Sequence, residues 1–429
     1  MTFVNRYREL QKISNSSAPL TVLFGRRRVG KSELVKEYIK RYGSKDVAIY
    51  YSQAIEGPEN LQLSQICLDT SPLLPDVPVT NWVDFLKLLS HVSVPSILIL
   101  DEFPYLVKTQ ASLPSLLQKF IDHNRPPNLR IFLLGSSQSM MHDMVLESHA
   151  PLYGRADEIL HIRPMSFAHF CEALRTKDPE ENDFIRFSMV GGVPQYWQYA
   201  RDHPDIISLA NELYFNIDAR LENEPDRLLR DENIVGEQAK SILELVGRGV
   251  ERPSEMASRM NVKQTSLSKP LATLINTSLL QREIPFGETI RSTKRVIYRI
   301  QDPCLSFWHG VYSPHRTRWH RYSTHEKRTL IREHASHIFE HEFRKLFPDA
   351  QRYWEGDIEI DAVRYADEAG KNLILSELKF KKIPDNKRPS LANELMEKFK
   401  KSHLAKSFQA VPEIVDVTDG LSFLMGKRG

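Results

Sequence analysis

The sequence predicts an α/β protein of several domains: a parallel sheet first, a helical segment, a module of three helices and a hairpin, and a second α/β unit at the carboxyl end. Three observations carry this expectation. "LTVLFGRRRVGKSELVKEY" passes from an apolar run through a glycine-bounded loop into an amphipathic helix. "SILILDEFPYL" and "LRIFLLGSSQS" are apolar runs ending in polar residues, as expected of strands buried on both faces. Far downstream, "DIEIDAVRYADEAGKNLILSELKF" alternates like a β-hairpin around a turn-like "ADEAGK".

Length and composition narrow the class. At 429 residues the chain exceeds one ordinary core, so roughly two to four domains are expected. Hydrophobic content of 41% and charged content of 26% are ordinary for a soluble globular protein. A net charge of +3 excludes a global field for nucleic acid, so any such surface is a local patch. Cys67, Cys171 and Cys304 are far apart and form no CxxC pair, which argues against a disulfide framework or zinc site and for a reducing compartment. No signal-like segment opens the chain, and no stretch approaches the roughly 18 apolar residues of a membrane span. A cytoplasmic protein without a membrane partner is expected.

The first strand, 20–24, runs into Gly25-Arg26-Arg27-Arg28-Val29-Gly30-Lys31-Ser32, which fits GxxxxGK[ST] without a gap. Glycines let the backbone curl so that its N–H groups point at phosphates. The amides of residues 25 to 32, continuing to Glu33, form the expected triphosphate cage. Lys31 is placed for the β and γ phosphates, and the Ser32 hydroxyl for Mg²⁺. Leu34, Val35, Tyr38 and Ile39 lie on one face of the following helix, whose dipole adds to anion binding. In "SILILDEFPYL", Asp101 is placed to bind Mg²⁺ and Glu102 to polarise the attacking water. Ser136 and Ser137, after the next strand, are placed to sense the γ-phosphate. Strands over 46–51 and 157–162 complete five.

"FVNRYREL", "GRRRVGKSEL", "ILDEFPYL", "LLGSSQSMM", "PLYGR" and "GGVPQYW" follow one another as in the prokaryotic and archaeal-type ATPases of the STAND branch of P-loop NTPases, which this chain resembles. The resemblance implies ATP as the nucleotide. It also implies that Arg155 of "PLYGR" contacts the γ-phosphate, in cis or from a neighbouring subunit of a homo-oligomer. Pro194, with Gly192 before it, would pack near the adenine. Where the family has Gly-Arg before the first strand, this chain has Asn5-Arg6.

The P-loop domain is expected over 1–165 and a helical lid or linker over 166–232. Over 233–318 three helical patterns precede two strands, 281–285 and 295–300, the order of a winged helix-turn-helix. Ile242, Leu243, Val246, Met256, Met260, Leu267, Leu271 and Leu274 are spaced to share its core. Lys263, Gln264, Ser266 and Lys269 would face a DNA groove, and Arg291, Lys294 and Arg295 would decorate the wing. Pro270 requires the third helix to start late or bend. Winged helices in this branch also serve as arms packed on the nucleotide domain, and both uses stay open.

Over 319–429 the hairpin carries paired carboxylates. A turn centred near Ala369 sets Asp361 opposite Glu377, which continues the buried parity of Leu373 and Leu375. A divalent cation resolves both the repulsion and the cost of burial. Lys379 shares the face of Glu377. Asp, then Glu-x-Lys, is the PD-(D/E)XK nuclease arrangement, and this end resembles the restriction-endonuclease-like domain that commonly follows such ATPases. Asp361 and Glu377 would hold Mg²⁺, Lys379 would orient water, and Glu340 falls where such nucleases carry another acid. His334, His337 and His341 share a helical face, expected to be a solvated or nucleic-acid-facing stripe. Arg316, Arg318, Arg321, Lys381, Lys382, Lys387 and Arg388 are candidates for a phosphate track. The expectation is an ATPase switch coupled to a Mg²⁺-dependent DNA-binding, nuclease-like domain. The alternative is a non-cleaving regulator that docks DNA or a protein partner.

Overall fold

In the computed structural model, which describes residues 3–44, 46–71, 79–234, 236–291, 293–368 and 370–426, the first sheet has five strands. They are β1 (Leu20–Phe24), β2 (Ala48–Gln53), β3 (Ser96–Asp101), β4 (Leu129–Gly135) and β5 (Glu158–His161), in the order β2-β3-β4-β1-β5. Every pairing is parallel. The reason is visible in the side chains. Leu20, Val22, Leu98, Leu100, Ile131 and Leu133 join a core on one face. Leu23, Ile97, Ile99, Phe132, Leu134 and Leu160 join a second core on the other. A strand covered on both faces has no polar alternate, so its sequence reads as a continuous apolar run. The strand expected over 46–51 begins two residues later, and the others shift by a residue or so.

The chain divides into two units: Met1–Pro164 with Leu228–Ile234, and Met165–Arg227 with Val235–Gly429. Most of the helical segment expected over 166–232 falls in the second unit, and its end, Leu228–Ile234, in the first. Its helices Phe167–Leu174, Glu181–Val190 and Pro194–Asp202 share one core with the carboxyl-terminal region, where Phe184 packs edge-on against Phe339 and tilted against Phe380. Aromatic burial of this kind, not the mixed charge at 218–232, decides where the segment belongs.

In the second unit, helices Glu237–Gly247, Pro253–Arg259 and Ser268–Asn276 precede the antiparallel pair β6 (Leu280–Glu283) and β7 (Ile297–Ile300). Ile242, Leu243, Val246, Met256, Leu267, Leu271 and Leu274 are buried as expected, whereas Met260 is only half-buried. Pro270 is accommodated because a 3₁₀ turn, Gln264–Leu267, precedes the α-helix and places the proline in its first turn. Lys263, Gln264, Ser266 and Lys269 are exposed.

A four-stranded sheet closes the unit: β8 (Gln351–Glu355), β9 (Ile358–Tyr365), β10 (Asn372–Leu378) and β11 (Gln409–Val415), in the order β11-β10-β9-β8. The β9–β10 pair is antiparallel and the β10–β11 pair parallel. Ala369, the expected turn centre, lies outside the described residues. The hairpin loop between β6 and β7 docks on this sheet. Phe286 enters the core formed by Tyr353, Val363, Leu373, Leu375, Leu395, Phe399 and Leu404. Arg295 donates to the Trp354 carbonyl at 2.9 Å and pairs with Glu288. Arg295, expected on the wing, is anchored there by these contacts, while Arg291 and Lys294 are exposed.

Candidate functional site

The strand order sets β4 between β3 and β1, so their carboxyl ends converge. Gly25 N–H donates to the Gly135 carbonyl at 3.3 Å. A Cβ at Gly25 would lie 2.2 Å from the Ile162 carbonyl oxygen, so only glycine lets the loop leave β1 this close to its neighbour. Gly30, at φ 97°, then turns the chain into the helix Lys31–Tyr42. Arg28 also sits at positive φ. Asn5 and Arg6 are both left-handed at φ 56° and 67°, a conformation asparagine tolerates better than most residues. Arg6 donates to the carbonyls of Val29 (3.2 Å) and Arg163 (2.7 Å), bracing the phosphate loop from behind.

Lys31 is buried, and its ammonium donates to the carbonyls of Gly25 (2.8 Å) and Arg26 (3.3 Å). Burial lowers its pKa, opposed by the charges of Glu102, Asp101 and Glu232. Asp101 accepts from Ser32 Oγ at 2.6 Å, from Tyr51 OH, and from the Glu102 N–H at 2.9 Å. Burial and that bond to Asp101 push the Tyr51 phenol well above its usual range, so it remains a donor. Glu102, left-handed at φ 54°, accepts from Ser136 through its hydroxyl (2.6 Å) and N–H (3.3 Å). Ser32, Asp101, Glu102 and Ser136 thus form one connected network beside the 25–33 loop. Tyr51 was not anticipated; its place at the end of β2, beside β3, was the available signal.

The remaining expected nucleotide residues are placed as follows. Arg155 forks onto Asp122 at 3.2 and 3.1 Å and donates to the Tyr153 carbonyl. Ser137 caps the next helix by accepting from the Met140 N–H. Pro194 opens the helix Pro194–Asp202 in the second unit, where Trp197 donates to the Gly191 carbonyl at 2.8 Å.

A second polar cluster lies on the carboxyl-terminal sheet. The β9–β10 register pairs Val363 with Leu375 and Ala362 with Ser376, so its next step sets Asp361 across from Glu377. Asp361 accepts the Leu378 N–H at 2.7 Å. Burial, Glu340 and Glu377 together raise its carboxyl to about 7. Helix Thr324–Arg344 delivers Glu340, itself shifted up by burial. Glu377, only 9% exposed, accepts from Lys379 at 2.7 Å and from Lys398 at 3.2 Å. Burial pulls the Lys379 pKa down, but its bond to Glu377 and the surrounding carboxylates carry it upward on balance. Lys398 had no local signal, because helix Arg388–Lys401 reaches Glu377 only by packing Leu395 and Phe399 on the sheet. Among the described residues, no three His, Cys, Asp or Glu side chains are grouped closely enough to form a ready-made metal cage.

The histidine stripe is corrected. His334 is buried, donates through Nε2 to the Ser188 carbonyl at 3.0 Å, and lies edge-on to Phe307. Burial drops its pKa to about 4 and lowers that of His341 as well. The helix carrying them is covered on more than one side, which sequence spacing does not reveal; His337 alone is exposed. Arg388, expected in a phosphate track, instead binds Asp416 and Asp419, both at 2.8 Å. The other six candidates are exposed.

Among the described residues no helix is long and apolar enough to cross a membrane. Residues 3–199 match the family described as an ATPase domain predominantly from Archaea. An uncharacterized protein of Methanocaldococcus jannaschii, MJECL04, is 27% identical over 418 residues, covering 93% of this chain and 92% of the relative. The Walker-type ATPase PABY2304 of Pyrococcus abyssi superposes with a TM-score of 0.51 at 18% identity, over 72% of this chain and 96% of that one. The five-stranded parallel sheet and the glycine-bounded loop on β1 agree with the match of residues 3–199 to an ATPase domain found predominantly in Archaea.

Proposed function

We propose that the chain is an ATP-hydrolysing switch whose carboxyl-terminal sheet is a Mg²⁺-dependent, DNA-directed nuclease site. At the first site, Lys31 and the amides of residues 25 to 33 would grip the triphosphate. Glu102 would orient the attacking water, and Ser136 would report the γ-phosphate to it. Arg155, released from Asp122, is available for the γ-phosphate, and Pro194 for the base. The observation that carries the nuclease reading is the crowding of Asp361 against Glu377 and Glu340, which leaves Asp361 with a carboxyl near 7. Neighbouring carboxylates of this kind fit a hard divalent cation, as do Ser32 and Asp101 at the first site. Bound there, Mg²⁺ would neutralise phosphate charge and acidify water. Lys379 would orient that water.

The domains proposed are 1–165, 166–232, 233–318 and 319–429, with a winged helix in the third. The exposed Lys263, Gln264, Ser266 and Lys269 support DNA contact by its third helix, and the docked hairpin loop supports a packing role for its wing. The test is plasmid cleavage with ATP and Mg²⁺. Wild type should nick DNA and Glu377→Ala should not; equal behaviour removes the nuclease role.

One observation favours the non-cleaving alternative: both carboxylate oxygens of Glu377 are already held by lysines. Calorimetry with Mg²⁺ separates the two. A binding event lost in Asp361→Ala supports the nuclease reading, and no binding in wild type supports a regulator that docks DNA or protein.

A further inference from the structure

The segment Leu228–Ile234 is an excursion. The chain on both sides of it belongs to the second unit, yet the segment packs with the nucleotide unit. It delivers two consecutive carboxylates. Asp231 accepts from Arg27 of the phosphate loop at 3.3 Å. Glu232 is buried and accepts from the N–H groups of Gln138 (3.0 Å) and Ser139 (3.1 Å), and from the hydroxyls of Ser139 (3.2 Å) and Ser137 (3.4 Å). Ser139 Oγ also donates to the Glu232 carbonyl at 3.1 Å. These donors begin one residue after Ser136, which holds Glu102. Burial raises the Glu232 carboxyl pKa, opposed by those same bonds, and its charge reaches Lys31.

A buried carboxylate is costly unless its lone pairs are met. A surface cap on a short helix needs neither such burial nor so many donors. We propose that Glu232 is a positioning residue for ATP hydrolysis. It fixes the loop after β4 so that Ser136 holds Glu102 over the reacting phosphate. Because the second unit's chain continues from both ends of the segment, a shift there withdraws Glu232 and with it Glu102.

The proposal rests on the ATPase reading, and one set of measurements separates their failures. Turnover and fluorescent-nucleotide affinity are measured for wild type, Glu232→Gln, Glu102→Gln and the double variant. Glu232→Gln should lower kcat about tenfold with nucleotide affinity changed less than about twofold, and it should add almost nothing to Glu102→Gln, since residues acting as a unit are not additive. Ser139→Ala, which removes one hydroxyl donor, should lower kcat in the same direction by less, and serves if Glu232→Gln does not fold. A kcat within twofold of wild type, or losses that multiply in the double variant, overturn the proposal. Wild type that binds nucleotide but never hydrolyses it overturns the ATPase reading and this proposal with it.

Discussion

Asp101 and Asp361 are both strand aspartates, but they are surrounded in opposite ways. Asp101 accepts from a serine, a tyrosine and a backbone amide. Asp361 accepts from one amide and faces two other acids. Their origins differ too. The first site is assembled from residues that follow β1, β3 and β4 directly, so strand order alone brings them together. The second needs a hairpin register plus two separate helices, which supply Glu340 and Lys398. One site is organised by hydrogen bonds around a single acid; the other sets three acids among lysines.

The largest effect expected is at the first site. Glu102→Gln keeps the shape of the network but removes the carboxylate proposed to polarise the attacking water, so turnover should fall about 100-fold or more while ATP affinity stays within a few-fold. Single-turnover hydrolysis checks this, and equal rates would remove Glu102 from its role.

The second sheet is probed through Phe286. Its burial joins the β6–β7 loop to the sheet, so Phe286→Ala should cost about 3 kcal/mol in denaturant unfolding. A loss below about 1 kcal/mol would mean that the loop is not anchored there.

The smallest effect concerns Asp361, and its sign depends on pH. Unfolded, the carboxyl titrates near the ordinary value of about 3.9; folded, it titrates at about 7. The folded state therefore binds the proton more tightly, and this stabilisation is complete below about pH 4 and lost as pH rises toward 7. In chelator, Asp361→Asn should match wild type near pH 4 and exceed it by about 2 kcal/mol at pH 8, part of the roughly 4 kcal/mol that a three-unit shift represents. A constant difference across that range would mean that Asp361 is not crowded.

The same contrast explains what the sequence disclosed. The parallel sheet was legible because strands covered on both faces have no polar alternate, and the phosphate loop because its residues are contiguous. The Asp361–Glu377 pairing was legible because strand parity is strict once a turn is placed. His334, Lys398, Phe286 and Glu232 were not legible in the same way. Each owes its surroundings to an element far away in sequence: the helix bearing Ser188, the face under Leu395, the sheet beneath the hairpin loop, the serines after β4. Periodicity tells which side chains share a face, and only packing tells what covers that face.

We propose that nucleotide held by the 25–33 loop controls chemistry at Asp361 and Glu377. The direct measurement is nicking of supercoiled DNA in Mg²⁺, with ATP titrated, for wild type and Lys31→Ala. Nicking should rise with ATP in wild type and stay flat in Lys31→Ala. Nicking by both proteins with the same dependence on ATP would contradict it.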